Sequence, residues 1–158
     1  MLDIKFFRKI SADVVMKYRK HIFDPDTGSN AKQVDGKPYP EYKRRNGISK
    51  YKQRKATGNM VVNGVPQNAR YAGSKAPVLT GSLLRDYGFQ KYLSNGFSFG
   101  FKSEGAKVKR LAELGRVLSS NETPIPKSVV TFIEKEASKH IKKELGKNKG
   151  GTINIKVT

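Results

Sequence analysis

The sequence predicts an α+β fold, in which a small antiparallel sheet packs against an N-terminal and a C-terminal amphipathic helix. At both ends of the chain apolar residues recur three or four apart, which is the helical period, and between 87 and 101 aromatic residues alternate with small ones, which is the strand period. Between 24 and 76, glycine, proline and lysine replace any regular period and predict a long basic arm or loop. A length of 158 residues suits a single domain, 1–158.

Two helices frame this domain. The first is predicted from Ile4 to Phe23, or as a shorter helix capped by Ser11 with Leu2 to Phe7 extended. It ends at Asp24-Pro25, because proline cannot continue a helix. Its apolar stripe is Ile4, Phe7, Ile10, Val14, Tyr18 and Ile22. The last helix follows Pro126 and ends near Gly146, with the stripe Val129, Phe132, Ile133, Ala137, His140 or Ile141, and Leu145. Residues 147–158 form a tail or a closing strand, which could pair with the sheet edge of another subunit.

A β-hairpin lies between the helices. Asn95-Gly96 suits the positive backbone angles of a type I′ turn, and Leu93 is expected on the same face as the aromatic residues before it. The candidate core residues of this hairpin are Tyr87, Phe89, Phe97, Phe99 and Phe101. A second, short hairpin is predicted within 60–65, whereas the segment 104–117 fits a helix or a strand.

The charge is the strongest compositional signal. The chain carries 32 Lys and Arg against 13 Asp and Glu, a net charge of +19, which implies a polyanion or an acidic partner surface. The candidate contact residues form an acid-free run beside Tyr42 and Tyr51: Lys43, Arg44, Arg45, Lys50, Lys52, Arg54 and Lys55. Cations beside aromatic rings favour a nucleic-acid backbone, and without a base-reading motif the contact would be sequence-independent. The alternative is an arm that docks on an acidic protein neighbour.

The sequence offers no pattern typical of catalysis, of a cofactor or of a metal site. Cysteine is absent, and the two histidines, His21 and His140, fall on predicted helices without metal-ligand spacing. We therefore expect no enzyme, although a nuclease or toxin built from scattered acids is a weaker alternative. No apolar run is long enough to cross a membrane, and charged residues interrupt the first ten positions, so neither a span nor a leader peptide is expected.

Four short segments occur in a characteristic order: Val34-Asp35-Gly36-Lys37-Pro38-Tyr39-Pro40, Thr80-Gly81-Ser82-Leu83-Leu84-Arg85, Leu111-Ala112-Glu113-Leu114-Gly115 and Ile125-Pro126. Over about two-thirds of the chain this order resembles the tail-completion or virion-morphogenesis family of tailed bacteriophages. Tyr39 stands where that family has a tryptophan, and Lys127 and Ser128 stand where it has an arginine after the Ile-Pro pair.

The resemblance implies a structural virion protein with an α+β fold. It implies a homo-oligomeric ring, commonly hexameric, at the neck or head–tail interface, assembled in the bacterial host cytoplasm. The implied partners are the head connector or adaptor and the tail-tube proteins, with DNA passing through the ring. The rival prediction is a stand-alone protein that binds nucleic acid without sequence preference.

Overall fold

A computed structural model of the chain describes residues 2–25, 29–41, 61–62, 65–66, 75–77, 82–93 and 95–147. Over these residues the elements are α1 (Ile4–Phe23), β1 (Val61–Val62), β2 (Val65–Pro66), α2 (Ser82–Asp86), β3 (Tyr87–Leu93), β4 (Gly96–Phe101), α3 (Gly105–Glu113) and α4 (Lys127–Lys147). β1 pairs antiparallel with β2, and β3 with β4. The predicted α+β class, the two framing helices and both hairpins are thus confirmed.

Helix α1 is the central element of the core. The Asp3 carboxylate accepts a hydrogen bond from the backbone N–H of Phe6 at 2.9 Å and so caps the first turn. The helix ends at Asp24, whose φ of +42° lies in the left-handed region. The predicted stripe is buried except at its first member, Ile4, which is 42% exposed. The core side chains of α1 are Phe6, Phe7, Ile10, Val14, Val15, Tyr18, Ile22 and Phe23.

The hairpin β3–β4 presents its aromatic face to α1. Tyr87 pairs across the strands with Phe101, and Phe89 with Phe99. A bulge between Phe89 and Lys91 then shifts the alternation by one residue, so that Tyr92, opposite Phe97, takes the place expected for Leu93. The Tyr92 hydroxyl lies 3.2 Å from Ser11 Oγ, whereas Leu93 is 42% exposed.

The turn of this hairpin also differs from the prediction. Gly96 already belongs to β4 and pairs with Leu93, so the connection lies one residue earlier than expected. Gly96 lacks the positive φ that a type I′ turn requires at both central residues. The Asn-Gly pair is therefore not the turn that the sequence suggested.

The candidate core aromatic residues occupy three environments. Tyr87 is buried at 3% exposure and stacks on Tyr18, with ring centroids 3.7 Å apart and planes 6° apart. The half-buried residues Phe97, Phe99 and Phe101 pack against the core. Phe89 is half-buried too, but its ring contacts Tyr92 at 4.3 Å rather than the buried cluster.

Helix α3 resolves the alternative left open for 104–117. The helix ends in a Schellman motif, in which the N–H of Gly115 donates to Ala112 and the N–H of Arg116 donates to Leu111, both at 2.8 Å. Gly115 has φ +74°, which a residue with a Cβ adopts only with strain. The chain then reverses and places Arg116 and Leu118 in the interior, at 3% and 0% exposure.

The first part of the segment 24–76, predicted as a long basic arm or loop, packs on the core. Residues 29–41 fold back onto the C-terminal end of α1, where Ala31, Val34 and Tyr39 are buried. The backbone N–H of Lys32 donates to the backbone carbonyl of His21, and the Tyr39 hydroxyl donates to the backbone carbonyl of Ile22. The segment has few apolar residues, but these three pack on the core. The tail that follows 147 lies outside the described residues.

Replacing Gly115 with alanine is expected to lower the free energy of unfolding by about 1 kcal/mol, because the new Cβ must occupy left-handed backbone space. The new Cβ causes no steric clash, since the nearest atom to it is Pro40 Cγ at 3.9 Å. Gly146→Ala is the matched control, because this residue is helical with nothing within 4 Å and should be neutral or slightly stabilising. Urea unfolding measures the free energy of unfolding of both variants. If it fell in both or rose in both, the left-handed conformation assigned to Gly115 would be contradicted.

Three buried tyrosines should make the fold sensitive to alkali. Burial raises the pKa of Tyr18, Tyr39 and Tyr87 far above that of a free phenol. In the unfolded chain these phenols ionise near pH 10. Their contribution to the free energy of unfolding is therefore complete below about pH 10. Above that pH it is lost by up to about 1.4 kcal/mol per pH unit for each tyrosine.

We therefore expect the tyrosinate absorbance of these three residues to appear together with the loss of circular dichroism. The Tyr18→Phe protein should lose one tyrosine from that cooperative step. Ionisation of all three with the circular dichroism unchanged would show that they are not held in a closed core.

Candidate functional site

The base of the basic loop is built around one buried arginine. The Arg116 guanidinium donates through Nη1 to the carbonyl of Lys75 and through Nη2 to the carbonyl of Pro40, both at 2.6 Å. Its carbon Cζ lies 5.8 Å from the centre of the Tyr39 ring. A planar guanidinium with donors in a fixed fork is the side chain that can hold two carbonyls at once.

The two hydrogen bonds of Arg116 to the carbonyls of Pro40 and Lys75, which we call the clamp, join two distant parts of the chain. Pro40 precedes and Lys75 follows the segment 42–74, so both ends of that segment are held at one side chain. Outside the clamp, Lys75 Nζ and Glu41 Oε1 form an ion pair at 2.5 Å. That pair is exposed and adds little stability, whereas the buried arginine determines where the segment begins and ends.

The clamp is itself anchored to the core. Tyr39, which contacts the guanidinium, donates its hydroxyl to the Ile22 carbonyl at 3.1 Å. Gln33 accepts at Oε1 from the backbone N–H of Val117 at 2.8 Å, and Val34 donates its backbone N–H to the Val117 carbonyl at 3.0 Å. These bonds fasten the stretch around Arg116 to the segment 29–41, so the base of the loop is part of the rigid domain.

The segment between the clamped ends carries the strongest local charge of the sequence. It contains eight Lys or Arg and neither Asp nor Glu. The seven predicted contact residues, Lys43, Arg44, Arg45, Lys50, Lys52, Arg54 and Lys55, belong to it and lie outside the described residues. What the structure contributes is the position of their attachment points, Glu41 and Lys75.

Sequence reasoning missed Arg116. Its position gives one signal in retrospect, because it follows a glycine at the end of an apolar helical pattern, where the chain reverses direction. Among 32 basic residues, however, one arginine on the inside of the fold looks like any other. Its burial depends on contacts with residues about 40 and 76 positions away in sequence, which no local pattern reports.

Asp86 fixes the backbone that follows the hairpin. The Asp86 carboxylate accepts from the backbone N–H groups of Ser103 and Glu104 and from the Ser103 hydroxyl at 2.6 Å, and these bonds lower its pKa. Within the described ranges no group of three His, Asp or Glu side chains is placed to hold a metal ion. His21 lies between the Gln33 carbonyl, at 2.9 Å from Nε2, and Ser128 Oγ, at 3.3 Å from Nδ1.

No protein-family model, curated protein or solved structure matches this chain. Among the helices that the structure describes, none is long and apolar enough to cross a membrane.

Replacing Arg116 with methionine should open the base of the loop. The carbonyls of Pro40 and Lys75 lose a charged donor, and we expect the free energy of unfolding to fall by about 2–4 kcal/mol. The chain has no cysteine, so spin labels can be placed at Glu41→Cys and Lys75→Cys, and their separation should increase in the Arg116→Met protein.

Two controls accompany this experiment. Arg110→Met removes an exposed arginine from α3 and should change neither the stability nor the label separation. Arg116→Lys keeps the charge but lacks the fork, so it should give an intermediate separation. An unchanged separation in the Arg116→Met protein would show that other contacts hold the two ends together.

Proposed function

We propose that this chain is a structural virion protein of a tailed bacteriophage, which forms a ring at the neck or head–tail interface through which DNA passes. The function is assembly rather than catalysis. Its neighbours are the head connector or adaptor and the tail-tube proteins, and the basic loop supplies contacts to DNA or to an acidic neighbour. Other copies of the chain complete the ring.

One observation carries the proposal: the segments that resemble the family pack against each other. The Asp-Gly segment contributes Tyr39, whose ring contacts Arg116 directly after the Glu-Leu-Gly segment. Leu83, from the Thr-Gly-Ser-Leu segment, is buried in the same core cluster. Their place in one core is compatible with the architecture that the resemblance implies.

The charge is compatible with a DNA-conducting ring. The segment 42–74 carries eight cations and no acid, and contacts made by charge alone follow phosphates rather than bases. Their strength falls steeply with salt, because it comes from the release of counterions. A weak, sequence-independent attraction would let DNA move past the protein during packaging and ejection.

The second candidate is a stand-alone, sequence-independent nucleic-acid-binding protein. The same observation of charge favours it, since a net +19 on 158 residues suffices for tight binding at low salt. The two candidates differ in what the isolated protein does, because a ring protein associates with itself and the stand-alone protein does not.

Light scattering after size-exclusion chromatography separates the candidates. The subunit mass is 17.6 kDa, and we expect a defined multiple of it, about six-fold for the hexamer that the resemblance implies, at both low and high salt and free of nucleic acid. A monomer at all salt concentrations that binds nucleic acid tightly would instead support the stand-alone protein.

A variant of the loop tests its role within the proposed ring. Arg44→Gln, Arg45→Gln, Arg54→Gln and Lys55→Gln together should leave the ring intact and reduce the salt dependence of DNA binding. If DNA binding is unchanged but the variant no longer joins heads to tails, the loop docks on a protein neighbour.

A further inference from the structure

A second basic surface lies at the opposite end of α1 from the loop base. Helices α1 and α4 pack antiparallel, since His21 is close to Ser128 at one end and the Phe6 and His140 rings are 5.0 Å apart at the other. At the Phe6 end the two helices border a groove of about 320 Å³. We call it the α1–α4 groove.

Lysines line both walls of this groove. Lys5 and Lys9 are one helical turn apart on α1, and Lys139 and Lys143 are one turn apart on α4. All four are exposed. Between them the floor is formed by Phe6 and Ile10, which are buried at 3% and 2% exposure, and the His140 ring lies beside Phe6. The rigid apolar floor therefore holds two rows of positive charge facing each other.

The acids of the groove do not balance these lysines. Glu136 forms an ion pair with Lys139 at 2.6 Å, and Glu144 lines the groove beside it. Among the described residues, neither Lys5, Lys9 nor Lys143 has a carboxylate within 4.0 Å. Outside the groove, Arg8, Lys135 and Lys142 are exposed on the same helices together with the acids Asp13 and Glu134.

The groove sets four lysines against the two carboxylates of Glu136 and Glu144, so part of the repulsion among the lysines is left uncompensated. A bound polyanion would relieve that repulsion, which already exists in the folded protein. We propose that the α1–α4 groove is a second binding site for the phosphate backbone of nucleic acid, separate from the basic loop. The lysine ammonium groups contact phosphate oxygens, and the apolar floor fixes the separation of the two rows.

Nucleic acid fits this groove better than an acidic protein does. Its walls carry lysines, which act as point charges towards phosphate, and its residues offer few neutral groups for recognising a protein backbone. The apolar floor is closed, since Phe6 and Ile10 are already buried, so an incoming side chain would have little apolar surface to cover. The site therefore binds by charge and does not read bases.

The test compares DNA binding by four proteins over a range of salt, using fluorescence anisotropy of a labelled duplex. The groove variant carries Lys5→Gln, Lys9→Gln, Lys139→Gln and Lys143→Gln. We expect the slope of log K against log salt to become shallower by about 0.9 for each phosphate that the variant no longer neutralises. Circular dichroism should be unchanged, because all four side chains are exposed.

The matched control removes the same charge elsewhere. Lys32→Gln, Lys91→Gln, Lys109→Gln and Lys127→Gln replace four exposed lysines from separate parts of the fold. This control should keep a slope closer to that of the parent. Glu136→Gln is expected to act in the opposite direction and tighten binding, because it removes a negative charge from the groove and releases Lys139.

Three outcomes would overturn the proposal. The groove variant could keep the slope of the parent, or it could match the scattered control. It could also bind DNA normally and fail only in joining heads to tails, which would assign the groove to an acidic protein neighbour.

The proposal for the groove does not depend on the phage assignment. A protein that fails to form a ring yet shows a shallower slope in the groove variant would contradict the proposed function alone, and an intact ring with an unchanged slope would contradict the groove alone.

Discussion

The fold depends on the contacts of the Tyr18 ring. This residue lies in the middle of α1 with no exposed surface, and its ring stacks on Tyr87 of the hairpin. Its hydroxyl donates to the Leu118 carbonyl at 2.7 Å, in the stretch that follows α3. One side chain thus joins a helix, the sheet and the returning chain, and a buried hydroxyl without that acceptor would cost about 1–3 kcal/mol.

The arrangement explains how a strongly basic chain keeps a compact core. The apolar residues that are buried cluster along α1, between the hairpin on one side and α4 on the other. Among the residues that the structure describes, the cations stay outside this cluster except for Arg116, which is held by two carbonyls and an aromatic ring. The self-repulsion of the surface is therefore separated from the interactions that stabilise the fold.

The elements with a strong local period can be predicted from the sequence. The helix Ile4–Phe23 is predicted with its end, because the apolar stripe and the Asp-Pro pair are local signals, whereas the choice between a start at Ile4 and a cap at Ser11 is made by the structure. The hairpin is predicted too, but its turn and the role of Tyr92 are not, because a bulge at Gln90 changes the alternation without a sequence mark. The packing of 29–41 is missed because Ala31, Val34 and Tyr39 show no period, and only the tertiary contacts with α1 explain their burial.

The candidate site also has a part that the sequence predicts and a part that it does not. The run from Lys43 to Lys55 is visible in the sequence because charge is a property of composition, whereas the clamp and the groove are not, since each brings together residues far apart in the sequence. A periodic pattern on α1 shows which face is buried, but not that Lys5 and Lys9 will meet lysines of α4. Their meeting follows from the antiparallel packing of two helices that lie more than a hundred residues apart in the chain.

The attachment points of the basic loop and the α1–α4 groove stand at opposite ends of α1. The loop base is fastened beside Ile22, and the groove begins at Lys5, so about 25 Å of helix separates them. That distance exceeds the Debye length of about 8 Å at physiological salt, so the groove attracts a polyanion independently of charges at the loop base. With one base pair per 3.4 Å, a duplex must be about eight base pairs long to reach from the groove to the loop base. If both surfaces bind one nucleic acid, a short oligonucleotide meets a single set of cations, and only a longer polymer gains from both.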